Sequence, residues 1–494
     1  MSVDHSSREA GRDDQSRPAP HAPEPRIGSV PSAVSAPEEP GEPTAGPSRV
    51  PRPGVLEWLT TVVGPRLFPP AVTRRLTWPQ VVLATVAVLA ATAVGLGRVR
   101  GPGSWDTIMA EDGRDLLHDA YQLSLWGALS NDINGYYQTG PRLLAEIAAA
   151  VPVRWAAAVL AVEATAATAL LALVVYIASG AHLRHPLARL LAAAPMIVFP
   201  VSLGTVEATV VTVQFPLLYA ACWVLLWVPA RRAGWIVAGA VVAAVAFGTI
   251  LALGLIPLVV ARVVIRRTWR DLVLGGIAGA GVLLQVGALV LGFSDRGDMS
   301  SSRVDPLWLL EELIVWGVPH SLMGERWMGQ AVGHTREYLA LQVIAWLLLA
   351  AVWVVALMRW TDANWPLAAV TTLHGLGFFA LTLTAQGAHV MRYLTIMVCF
   401  LAGTFAALLR PYPDARARAG LNPLVAITVF IAVLMAVNYR TDFYRAQSPR
   451  WSVLVDQATA ACVANPELDD WQVQISPRDI GVPFTVDIPC DRLR

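Results

Sequence analysis

Lysine is missing altogether from the 494 residues, so all 37 basic side chains are arginine. Charge of either sign is scarce, at 15% of the chain against roughly 25% in soluble proteins. With 55% hydrophobic residues and a mean hydropathy of +0.52, this excludes an ordinary water-soluble enzyme. The net charge of +1 and the lack of a basic block argue against nucleic acid as a partner, because phosphate backbones are gripped by clustered positive charge. Cysteines number four and show no metal-ligand spacing with the histidines. Glycine-rich nucleotide-binding fingerprints are also lacking.

What is present is a series of long apolar runs. Residues 1–53 are rich in Pro, Ser, Ala, Glu and Arg and poor in aromatics, so they cannot bury enough surface to offset chain entropy; we expect a disordered cytoplasmic tail. It has no apolar core followed by a small-residue cleavage site, and so is not a secretory signal. Residues 54–76 read as an interfacial segment, in which Val55 to Val63 can form a short amphipathic helix. From residue 77 to 440 we expect an all-α polytopic transmembrane domain with spans near 77–97, 155–178, 187–203, 208–228, 233–248, 250–265, 271–293, 337–358, 365–385, 391–409 and 421–439, eleven in all. Arg74 and Arg75 precede the first span, which sets the N-terminus inside, and the alternate loops carry Arg184 and Arg189, Arg231 and Arg232, Arg266, Arg267 and Arg270, Arg359, then Arg410, Arg416 and Arg418. This alternation requires 233–265 to break into two short helices near Gly248 or Gly254.

Three sizeable segments then face outward: 98–154, 294–336 and 441–494. Asp115 to Leu129, Arg142 to Val151 and Pro306 to Trp316 read as amphipathic helices lying along the interface. In the last segment, Trp471 to Ile475 and Phe484 to Ile488 alternate around Pro477 and Gly481 as a β-hairpin, giving a small external α+β cap. Cys462 and Cys490 can pair there as a disulfide or remain free thiols, whereas Cys222 and Cys399 fall within spans as packing residues.

The candidate chemistry gathers on the outer side. Asp106, Glu111, Asp112 and Asp115 fall within ten positions after the first span, where a carboxylate can take a proton from an attacking hydroxyl or help hold a divalent cation; a solvated acidic loop is the plain alternative. Tyr136 lies just ahead of a helix start at Pro141, where Arg142 and free amides can receive an anionic headgroup or merely meet lipid phosphate. His389, Arg392 and Tyr393 open another span at its outer end, where an arginine either snorkels or binds a ligand phosphate. Glu163 and His374 lie deeper and need partners, and Glu207 and Gln214 are weaker candidates.

Ala110-Glu-Asp-Gly113, Gly135-Tyr136, Pro141-Arg-Leu-Leu-Ala145, Pro152-Val-Arg-Trp155, Gln214-Phe-Pro216, Arg392-Tyr393 and Ile488-Pro-Cys490 resemble a group of uncharacterised actinobacterial multipass proteins, from about residue 77 onward. A GC-rich source, consistent with the missing lysine, fits that group. These proteins look like the GT-C superfamily of glycosyltransferases that use polyprenyl-phosphate sugars. The resemblance implies a membrane glycosyltransferase of the plasma membrane, inverting, with Asp112 as base and Glu111 assisting. Arg142 and Arg392 would bind the donor's phosphate, and Asp106, Tyr136, His389 and Tyr393 would line the substrate site. The partners would be membrane lipid, a polyprenyl-phosphate sugar donor and an envelope glycan acceptor, with no resident cofactor beyond a divalent cation as an option. A transporter or flippase, or a non-catalytic envelope protein that binds partners through its cap, are the competing readings.

Overall fold

The computed structural model describes residues 54–71, 77–201, 206–294, 302–329, 338–388, 390–412, 422–440, 444–478 and 483–494, so the expected tail and Arg74 and Arg75 lie outside the described residues. The chain is mostly helical. Among the described residues, six helices are long and apolar enough to cross a membrane: Trp78–Leu96, Val153–Ala181, Trp269–Val290, Leu339–Leu357, Trp365–Gln386 and Met391–Leu408. Three shorter apolar helices, Val211–Leu226, Arg232–Gly248 and Pro423–Val437, each cover only about 22–26 Å at 1.5 Å per residue.

The structure departs from the expected spans in instructive places. Over 187–201 the α-helix is confined to Pro186–Ala193, followed by a tight turn at Ala194–Met196, because Pro195 removes a backbone donor; 202 and 203 lie outside the described residues. The break within 233–265 falls at Thr249, which is extended and whose hydroxyl accepts from the Leu251 N–H to start a tight turn at Ile250–Leu255; Ile256–Arg266 continues it. The expected helix over Asp115 to Leu129 is interrupted. A widened turn at Asp112–Leu117 leads into His118–Gln122, and Ser124 then accepts from the Gly127 N–H and caps a new helix, Leu125–Ser130. The interfacial segment also differs from a helix lying free on a surface. It is helical from Val55 through Leu67, but Leu67 and Phe68 are buried in the core.

Helices approach closely where side chains are small. A Cβ added at Gly281 would sit 2.5 Å from the Ala246 Cβ, so that glycine lets Trp269–Val290 close on Arg232–Gly248. Buried arginines tie the chain at both ends of the bundle. At one end Arg262 donates to the carbonyls of Val224, Leu225 and Trp227, closing a helix C-terminus, and pairs with Asp271 at 2.7 Å. Nearby loops are held by Arg410, which pairs with Asp362 at 2.7 Å and reaches the His182 carbonyl. At the other end Arg98 donates to the carbonyls of Ile197, Phe199 and Tyr439, and the Gln285 amide bonds both the N–H and the carbonyl of Tyr137.

The C-terminal segment folds as the helix Trp451–Ala464 followed by two antiparallel strands, β1 (Asp470–Gln474) and β2 (Thr485–Pro489), in register from Asp470 opposite Pro489 to Gln474 opposite Thr485. It is not a free-standing cap. Val473, Ile475, Val486 and Ile488 share one core with Leu116, Leu117, Ala145 and Ala149 of the stretch 98–154. Cys462 and Cys490 form a disulfide with Cα atoms 5.5 Å apart, while Cys222 and Cys399 are buried and free. The crosslink spans 28 residues of sequence, worth about 3–4 kcal/mol by chain entropy. Replacing both cysteines by serine is therefore expected to lower the thermal midpoint in detergent and to make residues beyond 450 the first to be cut by protease. Unchanged protease resistance would show that the shared core alone holds the segment.

Candidate functional site

Glu111 is presented by an unusual piece of backbone. Ala110 takes φ +43°, a left-handed conformation that strains any residue with a Cβ, and its N–H is held by the Ser476 carbonyl at 2.6 Å. The next contribution comes from a tight hairpin turn in which Asn134 and Gly135 both have positive φ and Ile133 and Tyr136 bond each other's backbone. The turn delivers Tyr136. A single turn at Met391–Tyr393, ahead of Leu394–Leu408, supplies Arg392 and Tyr393.

These three segments meet. The Arg392 guanidinium lies 3.4 Å from the Glu111 carboxylate, with side chains 26% and 13% exposed, so the pair is loosely held and open to its surroundings. Tyr136 Oη lies 3.3 Å from Gln214 Nε2, and Tyr393 packs edge-on to Phe215 with ring centroids 5.7 Å apart. Burial, with Tyr393 beside it, pushes the Tyr136 hydroxyl up to about 12, so it serves as a neutral hydrogen-bonding group. Gln214 is thus part of the cluster although its sequence context made it only a weak candidate.

Asp112 does not join the cluster. It is 3% exposed, and its two carboxylate oxygens accept the backbone N–H groups of Val210 and Val211 at 2.7 and 2.9 Å. Its lone pairs anchor the turn that carries Gln214, which corrects the expectation that it faces a substrate. Burial pushes this carboxyl up to about 7 and Glu111 adds to the push, while the two amides and Arg445 pull the other way. Because the folded value lies above the ordinary carboxylate range, the stability contributed by the neutral form is fully present below about pH 4 and is lost as pH rises to about 7. Thermal midpoints of the wild type should fall across that window relative to Asp112→Asn. Parallel profiles would remove Asp112 as the titrating group.

Two further expected substrate residues lie apart from the cluster, each held by a partner of its own. Asp106 accepts from the Ser452 N–H at 2.8 Å and its hydroxyl at 2.9 Å, capping the helix Trp451–Ala464. Arg142 is 1% exposed and pairs with Asp119 at 2.7 Å, too deep to meet a lipid phosphate. His389 lies outside the described residues. Glu163 sits within Val153–Ala181, and the His374 ring meets the Val370 carbonyl at 2.8 Å and stacks on Phe400. Among the described residues, no group of three or more His, Cys, Asp or Glu side chains could hold a metal ion.

Sequence reasoning missed the fixings beneath the cluster. Arg98 pairs with Glu207, both nearly fully buried, and Arg445 donates to the Glu207 carbonyl and to Thr107. Their one sequence signal was arginine on the outward side, against the prevailing bias. The chain matches no family model and no curated protein.

Proposed function

We propose that this protein is a plasma-membrane glycosyltransferase, moving a sugar from a polyprenyl-phosphate donor to an envelope acceptor at the outer leaflet. The observation that carries this reading is the Glu111–Arg392 pair at 3.4 Å, a base and a fixed cation in one partly open cluster with Tyr136 and Tyr393. Glu111 takes the proton of an acceptor hydroxyl as that oxygen attacks the anomeric carbon. The bond from that carbon to the phosphate oxygen breaks, and polyprenyl phosphate departs with its charge stabilised by Arg392. Glu111 replaces Asp112 as base because Asp112 has both oxygens committed to backbone amides.

Glu111, Asp115 and Asp119 are matched by Arg392, Arg114 and Arg142, while Asp106 and Asp112 are held by Ser452 and by backbone amides, so we write the reaction without a divalent cation. A topology of eleven crossings, N-terminus inside and C-terminus outside, suits this chemistry. It is supported by the contacts that gather residues 98, 135, 199, 285 and 439 at one end and 182, 225, 262, 271, 362 and 410 at the other. The test is mass spectrometry of envelope glycans and polyprenyl-phosphate sugars from a deletion strain carrying wild type or Glu111→Gln. Truncated glycan with accumulated lipid-linked sugar, restored by the wild type alone, is the expected result.

Transport is the second reading, favoured by Glu163, whose buried Oε2 has no hydrogen-bond partner within an apolar span. Loss of function in Glu163→Gln with full function in Glu111→Gln would select it.

A further inference from the structure

Beside the cluster, the helices His118–Gln122 and Thr139–Ala150 pack together and leave a seam with an unusual polar content. Gln138, Arg142 and Glu146 follow one another at four-residue steps, so they fall along one face. Arg142 spends Nη1 on Asp119, while Nε and Nη2, the side-on edge that grips two oxygens at once, have no partner. Gln138 Oε1 and Nε2, Glu146 Oε1 and Tyr121 Oη are likewise buried and unbonded. Both Gln138 and Arg142 are 1% exposed. Folded proteins satisfy roughly 90% of such groups, so six atoms on four residues of this stretch, idle among the described residues, call for a ligand.

The donor and acceptor types decide its chemistry. Arg142 offers donors, Gln138 both kinds, Glu146 an acceptor and Tyr121 either. Two cations, Arg142 and the Arg492 that lies over the Tyr121 ring, are balanced by two carboxylates, Asp119 and Glu146, so an added anion would enter a region with no surplus positive charge. A neutral polyhydroxyl group, which gives and takes hydrogen bonds at adjacent oxygens, fits this set. We propose that the seam is a binding site for a sugar or polyol moiety, separate from the Glu111 cluster and independent of the transfer reading. The short helix Leu125–Ser130 packs on both helices, and Asn131 at its end bonds Asp119 at 2.7 Å, so a ligand enters by displacing this element.

The test uses the full chain purified in detergent, with inositol and methyl glucoside as soluble probes and phosphatidylinositol in mixed micelles as the lipid-presented form. A saturable thermal shift in the millimolar range is expected for at least one form. The soluble probes acting alone would identify a free ligand, and the lipid alone a headgroup, and either supports the site. Gln138→Leu and Tyr121→Phe break no existing hydrogen bond and are expected to weaken the apparent affinity about tenfold each, whereas Glu111→Gln leaves it unchanged. Absence of any saturable shift, or shifts of equal size in Gln138→Leu, would overturn the proposal.

Discussion

Glu111→Gln is expected to leave folding intact and to cut sugar transfer by roughly 10²–10⁴-fold, the usual contribution of a positioned general base. Folding survives because the substitution is isosteric and the ion pair it removes, at 3.4 Å and partly exposed, is a weak one. The size of the loss separates catalysis from positioning. Asp112→Asn, in contrast, disturbs the grip on Val210 and Val211, so its activity should fall only in step with the folded fraction. The measurement is transfer rate in membranes normalised to monodisperse protein in detergent. Near-wild-type transfer by Glu111→Gln would end the proposed role of this residue.

Arg98→Met is expected to be the most damaging single change to stability, at about 3–5 kcal/mol, the cost of breaking a buried ion pair from one side. Arg98 is fully buried, lies over the Phe199 ring at 5.0 Å, pairs with Glu207 and fixes three carbonyls on two separate segments. Its loss leaves the Glu207 carboxylate without its nearest cation. Pairing Arg98→Met with Glu207→Leu should recover much of the loss, since removing both charges also removes their desolvation cost. Thermal unfolding of the two single variants and the double variant gives the coupling directly. Additive effects would show that the carbonyl contacts of Arg98, not the ion pair, carry the stability.

Much of this architecture could be read from the sequence, and the failures have physical reasons. Long apolar runs announce long helices whatever they pack against, and the alternation around Pro477 and Gly481 announced β1 and β2. Glu111, Tyr136, Arg392 and Tyr393, which the structure brings together, stood out in the sequence because each combines a reactive or aromatic group with a position at a helix edge. Which of Glu111 and Asp112 would face the cluster was not legible. Neighbouring side chains in a helical turn point about 100° apart, and the choice was settled by the turn at Val210 and Val211, a hundred residues away. The partners of Asp106 and Arg142 were not legible for the same reason: Ser452 and Asp119 are ordinary polar residues with no sequence mark. The interrupted helix after Asp115 could have been anticipated, because Ser124 three residues before Gly127 is a start signal.

The Ser476 carbonyl that holds Ala110 comes from far along the chain, and Ser452, which holds Asp106, lies 346 residues downstream of it. During synthesis the early helices therefore emerge with the Glu111 loop unsupported, and that loop acquires its shape only once residues 452–476 have followed. A ribosome that stops early releases an inserted but incomplete molecule. Timing is thus built into the chain order, and Glu111, made early, reaches its working position only after residues made much later have joined it.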